Sequence, residues 1–257
     1  MRKHLAKETY TADQAFKKND GKRKWINTIL LRIKPLVNSS KQFKVLDLGC
    51  AQGETLIALC DVGYDAYGVE PYRPAIDEAH KLGQKLGYTF TIRYGRAEEI
   101  PYDTGLFDIV LAISVMEHVE DLELSLNEIY RVLKPGGVFW FNSASSMSPL
   151  QNEIALFPFF GWYPNKLKIY IMNWAKNNKP ELVGGTQHPA IHWWTPWKAR
   201  KKLNHAGFIK VWDRWDMVNI SDYKGIQRIG ILLAKKYKLF RIFADIIVPG
   251  CSYAARK

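Results

Sequence analysis

The tightest constraint on this chain is an alternation that begins at Lys44: short apolar runs bounded by turn residues, each followed by a stretch with helical spacing. "FKVLDLG" reads as a buried strand and "ETLIALCDVG" as a helix ending at Gly63. "DAYGVEP" reads as a second strand stopped by Pro71, and "RPAIDEAHKLGQKLG" as a helix with Pro74 in its first turn. "YTFTIRYG" and "FDIVLAIS" supply strands three and four, and "LELSLNEIYRVLK" the next helix. After a turn at Pro135, Gly136 and Gly137, "GGVFWFNSAS" supplies strand five. Strands and helices in this order form a parallel sheet covered on both faces.

The flanks differ from this core. Residues 1–43 read as a helical segment, in which "WINTILLRIKPLV" keeps its apolar residues on one face. Residues 149–194 are aromatic, proline-broken and basic, and seven of the nine tryptophans lie beyond residue 148. "TPWKARKKLNHAGF" has Thr195 as N-cap and Pro196 at the first helical position. "IKVWDRWDMV" and "CSYAARK" read as strands six and seven, separated by a basic, apolar helical insertion at 219–248. The expectation is one domain over 1–257, with a core at 44–148, a lid-like insertion at 149–194 and a C-terminal part at 195–257.

Charge is uneven. The net charge is +12, but residues 1–44 carry 12 Lys/Arg against 3 Asp/Glu, residues 45–147 carry 7 against 16, and residues 148–257 carry 18 against 6. Basic flanks suit an anionic partner such as a membrane surface, a phosphorylated substrate or nucleic acid, and they equally suit plain solvated faces. No apolar run reaches about 18 residues and the N-terminus lacks the apolar stretch of a secretory signal, which points to the cytosol. Cys50, Cys60 and Cys251 are odd in number and lack CxxC spacing, so neither a disulfide framework nor a metal site is expected.

In an open parallel sheet, ligands bind outside the carboxyl ends of the strands, where strand order reverses. The turn Gly49-Cys50-Ala51-Gln52-Gly53 follows the first strand, and its glycines permit close backbone approach. The last glycine comes four residues after the first, where the dinucleotide fingerprint wants five, which disfavours a dehydrogenase. Glu70 closes the second strand, where a carboxylate can accept hydrogen bonds from a ribose diol.

The motifs "VLDLGCAQG", "GVEP", "GRAEEIPYDTGLFDIVLAISVMEHVED" and "RVLKPGGVFWF", in this order from Lys44 to Asn142, resemble the class I S-adenosylmethionine-dependent methyltransferases. The likeness is to the small-molecule branch that includes ubiquinone and menaquinone biosynthesis enzymes. The resemblance implies an α/β, doubly wound, Rossmann-like sheet of seven mostly parallel strands, with an antiparallel last strand and insertions after strands five and six. It implies S-adenosylmethionine as cofactor and S-adenosylhomocysteine as product. Asp47 and the loop of Gly49, Cys50, Ala51 and Gly53 would surround the cofactor's amino-acid end, and Glu70 its ribose. Pro71 and Tyr72 would flank the adenine, Arg96, Ala97 and Glu98 would meet its edge, and Ile113 and Ser114 would line the floor. Two departures from the family pattern carry expectations. Ala51 replaces a loop glycine and so should take an ordinary φ, and Arg96 replaces the usual acid, leaving Glu98 to meet the adenine amine.

Methyl transfer is an in-line displacement, helped for a hydroxyl acceptor by a base of near-neutral pKa. His118 and His192 are the candidate bases, and Glu117, His188, Trp193 and Trp194 the candidate acceptor contacts. The expected acceptor is a small-molecule, sugar or lipid-linked intermediate methylated on oxygen. Residues 224–248 would contribute peripheral contact with an anionic membrane. An RNA or DNA methyltransferase is the alternative, weakened because "LAISVMEH" lacks the Asn/Asp-Pro-Pro-Tyr arrangement used on base amines.

Overall fold

The computed structural model describes residues 12–37, 42–150, 153–154, 156–183 and 189–257. The first expected strand is β1 (Lys44–Leu48), followed by α2 (Glu54–Asp61), β2 (Asp65–Glu70), α3 (Arg73–Leu86), β3 (Thr91–Tyr94), β4 (Phe107–Ile113), α4 (Leu122–Val132) and β5 (Leu133–Ser143). Helix α1 (Ala12–Ile33) precedes them and buries Ile26, Ile29, Leu30 and Ile33, the face that the periodicity predicts. After β5 come α5 (Asn165–Asn178), α6 (Pro196–His205), β6 (Lys210–Asp213), α7 (Arg214–Met217), α8 (Gly225–Lys236), α9 (Lys238–Ile247) and β7 (Cys251–Arg256).

The strands form one sheet in the order β3-β2-β1-β4-β5-β7-β6. Strands β1 to β5 pair in parallel, and β7 runs antiparallel to both β5 and β6. β1 and β4 are apolar almost throughout because both faces of a parallel sheet are covered. One face packs Leu46, Val110, Phe139 and Phe141 against α4 and α6. The other packs Val45, Ile109, Leu111 and Trp140 against α1 and α2. Among the described residues, no helix is long and apolar enough to cross a membrane.

Three expected boundaries shift. β5 begins at Leu133, before the Pro135–Gly137 turn, which becomes an irregularity inside the strand: Phe107 faces Leu133, but Ile109 already faces Val138. β6 stops at Asp213, because that carboxylate accepts from the amides of Trp215 and Asp216 and closes a capping box that starts α7. The insertion at 219–248 is broken in two at Tyr237, whose extended backbone (φ −116, ψ 119) separates α8 from α9. The segment 149–194 has a small core of its own, in which Phe160, Ile171, Met172, Val183 and Trp193 pack together.

Candidate active site

Strand order reverses between β1 and β4, and two cavities open at the carboxyl ends of the strands there. The larger, about 440 Å³, is lined by Leu48, Glu70, Pro71, Arg96, Ala97, Glu98, Ser114 and His118 among others. The smaller, about 170 Å³, is lined by Lys22, Asp47, Cys50, Thr55 and Ile113. Gly49 and Ala51 line both.

Their backbone is held in an unusual shape. Gly49 has φ 73, and a Cβ there would lie 2.6 Å from Val115 Cγ2, so only glycine fits. Val69 O accepts from both Gly49 N (2.8 Å) and Cys50 N (3.2 Å). Ala51 has φ 44, which corrects the expectation of an ordinary φ at this position. Its amide donates to Glu70 Oε2 at 2.9 Å, a charge-assisted bond that offsets the left-handed conformation's cost of about 1–2 kcal/mol. Tyr72 N donates to Glu70 Oε1 at 3.0 Å, so the buried carboxylate ties the loop after β1 to the loop after β2. Gly53 (φ 80) then opens α2.

Asp47 is 2% exposed. Burial pushes its pKa up to about 7, against the pull of the Lys22 charge and a hydrogen bond with Thr55. A carboxylate this poorly solvated gains most from a cationic partner. Lys22 comes from α1, 25 residues before Asp47, and no spacing rule in the sequence links the two. Cys50 presses its thiol toward Gly68, and burial raises its pKa, so it contributes shape rather than a nucleophile.

At the other end, Arg96 Nη1 pairs with Glu120 Oε1 at 2.9 Å across the rim of the larger cavity. Glu98 Oε1 accepts from Glu120 N (2.8 Å) and Asp121 N (3.3 Å). One Glu98 oxygen thus holds the turn after β4, while the residue still lines the larger cavity and its carboxylate keeps acceptor capacity there. Tyr72 is exposed and lines neither cavity; its contribution here is its backbone amide. Pro71 and Ala97 do form wall, as does Ser114 (φ 55), whose amide donates to Asn142 Oδ1 at 3.1 Å. Ile113 closes the smaller cavity.

The acceptor-side candidates separate. His118 lines the larger cavity, and its buried Nδ1 has no hydrogen-bond partner. Glu117 is buried and accepts from Ser143 Oγ at 2.6 Å, and its pKa is raised by burial, so it faces the core rather than an acceptor. Its carbonyl accepts from Ile191 N (2.8 Å) and His192 N (3.1 Å). His192 Nε2 lies 3.0 Å from Val119 O, and burial followed by the Lys198 charge keeps its imidazole below the usual range. His192 is therefore a neutral donor bracing the turn that carries His118, and it lines neither cavity. Trp193 and Trp194 are 1% and 0% exposed, which removes them as acceptor contacts. Trp194 packs on Phe141 (4.8 Å between centroids), and Trp193 stands over the Lys168 ammonium at 4.1 Å. His188 lies outside the described residues.

Comparison with known proteins agrees with this geometry. Residues 46–141 match the family model described as a methyltransferase domain. The ubiquinone biosynthesis O-methyltransferase of Azorhizobium caulinodans is 35% identical over 98 residues, covering 38% of this chain and 39% of that protein. Its counterpart from Pelagibacter ubique is 25% identical over 182 residues, covering 70% and 71%. The chain thus matches about two fifths of the length of the first of these relatives. An S-adenosylmethionine-dependent methyltransferase from Mesorhizobium loti superposes with a TM-score of 0.58 at 15% identity, covering 93% of this chain and 100% of that one. A Haemonchus contortus phosphoethanolamine N-methyltransferase 2, solved with S-adenosyl-L-methionine, gives 0.56 at 17% identity, covering 98% and 59%.

Proposed function

Residues 46–141 belong to the class I S-adenosylmethionine-dependent methyltransferase domains, and from that premise we propose that the chain methylates a hydroxyl oxygen of a small-molecule acceptor. The observation that carries the reading is the buried, cation-seeking Asp47 joined to Glu70 by one glycine-bearing loop that lines two cavities. The O-methyltransferase relatives support oxygen as the methylated atom.

The residues present fit the cofactor. Asp47 and Lys22 offer one charge of each sign to an amino-acid zwitterion, and Glu70 keeps lone pairs for a ribose diol beside its two amide bonds. Pro71 and Ala97 supply apolar wall for a base, and the Arg96–Glu120 pair supplies the rim. When bound, the cofactor supplies a methyl group on a cationic sulfur. Transfer of that methyl to an acceptor hydroxyl would leave a proton for this chain's own residues to remove. His118, which lines the larger cavity, would take the hydroxyl proton. The turn 117–119, clamped by residues 191 and 192, keeps that imidazole on the cavity.

Calorimetry with S-adenosylmethionine tests the site, and roughly 10- to 100-fold weaker binding is expected for Asp47→Ala and for Glu70→Ala. His118→Ala should keep cofactor affinity and lose about 10²–10⁴-fold in turnover. Methyl-labelled cofactor incubated with fractionated cell extract tests the acceptor. Label is expected in the small-molecule or lipid fraction, and label confined to nucleic acid would overturn the reading.

A further inference from the structure

Helix α9 has the composition of a core helix and the exposure of a surface one. Leu239, Ile242, Phe243 and Ile247 recur at helical spacing, yet no residue of the helix is buried. Leu239 is 82% exposed and Phe243 54%. On α8, Ile226, Ile229 and Leu232 form a second exposed stripe, while Ile231 and Ala234 pack inward on Trp215 and Val218. Beyond the hairpin the surface is mixed, in a groove that Arg200, Asp213, Lys238, Arg241 and Asp245 also line. Ile242 shares a groove with Trp197 and Met147, and the Met147 carbonyl accepts the indole N–H of Trp162, which stacks on Phe159. Trp197, Trp162 and Phe159 are all exposed. A surface patch of this extent marks an interaction site.

Charge identifies the occupant. From Lys224 to Arg241 there are six Lys/Arg and no Asp/Glu. Arg241 pairs with Asp213 and Asp216, and Lys235 donates to Asp216 O. Lys224, Arg228, Lys236 and Lys238 have no acidic partner among the described residues. A second copy of the chain meeting this face symmetrically would oppose these cations with their own kind. Apolar stripes, flanking cations and indole rings together match the polar–apolar boundary of an anionic lipid layer.

Position completes the argument. β7 begins at Cys251, opposite Ser143 at the end of β5, so the segment between β6 and β7 leaves and rejoins the sheet at its carboxyl edge. Gly49, Glu70 and His118 open at that same edge. We propose that α8 and α9, with Trp197, Trp162 and Phe159, dock the carboxyl edge of the sheet onto an anionic lipid bilayer surface. Combined with the methyl transfer proposed above, this makes the acceptor an amphiphile resident in that bilayer. The docking itself does not depend on the reaction.

Flotation of the full chain with vesicles tests it, using phosphatidylcholine alone and phosphatidylcholine mixed with phosphatidylglycerol. Binding is expected to the mixed vesicles, weakened by salt and at least roughly tenfold tighter than to phosphatidylcholine alone, since each cation near the surface is worth about fivefold. Leu239→Glu with Phe243→Glu should weaken it by roughly tenfold or more, and Lys236→Glu with Lys238→Glu should remove the preference for anionic lipid. Lys81→Glu on α3 should change nothing. Circular dichroism and cofactor calorimetry confirm that each variant is folded. Absence of binding to mixed vesicles, equal binding by the Leu239/Phe243 variant, or a stable dimer dissolved by that variant without vesicle binding would each overturn the proposal. An unmodified chain that floats with vesicles yet binds no cofactor would refute the methyl-transfer reading alone.

Discussion

The loops at the ends of β1, β2 and β4 and the insertion carrying α8 and α9 occupy the same edge of one sheet and are stabilised in opposite ways. In the first region the polar groups are turned inward and paired: Glu70 holds two loop amides, Glu98 holds two more, and Asp47 is sealed from water. In the second, apolar side chains are turned outward and exposed among the described residues. Burying polar atoms costs stability unless each has a partner, so the first region has the character of a site already shaped for a ligand. Leaving apolar area in water forfeits about 25 cal/mol per Å², so the second has the character of a surface that gains on contact.

The sharpest way to break the comparison is to remove a residue whose exposure the sequence suggested and whose burial the fold imposed. Trp194→Ala should cost about 3–5 kcal/mol in chemical denaturation, because its ring packs between Phe141 and Tyr253 in the main core. A cost under about 0.5 kcal/mol would mean that the indole is solvent-facing after all.

Asp47 gives the next largest effect. Its folded pKa of about 7 stands above its ordinary value of 3.8, so between those pH values the folded chain binds more protons than the unfolded one. The cofactor-free protein should therefore lose stability as pH rises from about 4 to 7, by about 2–4 kcal/mol from this group, and level off above. Asp47→Asn should remove that part of the slope in denaturation curves across the range. Cofactor binding to the unaltered chain should strengthen as pH rises toward 7, since the deprotonated carboxylate is the form that a cation stabilises. In the asparagine variant, that affinity should lose this pH dependence.

Smaller still is Ala51→Gly, where relief of the φ 44 conformation opposes the added freedom of the unfolded chain. A net gain of at most about 1 kcal/mol is expected, read as a slightly higher Tm. Leu239→Ser should fall within about 0.5 kcal/mol of the unaltered chain, because no packing is lost at an exposed site. A larger loss there would show that α9 is covered within the monomer.

Much of the central architecture could be read from the sequence, because it rests on local rules. The two-faced apolar runs "KVLDL" and "FDIVLAI" are buried parallel strands, Thr195 caps α6 through the Lys198 amide, and Gly49 sits where a side chain would strike Val115. What the sequence left open depends on which distant segments meet. Lys22 reaches Asp47 only because α1 packs beside α2, and His192 is a brace only because its strap crosses the turn after β4. Trp193 and Trp194 look like surface aromatics until two cores close over them, and Ala51 keeps its left-handed φ only because Glu70, from the next strand, receives its amide. Periodicity and turn chemistry act over a few residues and are written in order along the chain. Burial, pKa and hydrogen-bond partners are set by neighbours tens of residues away, and those the tertiary fold alone decides.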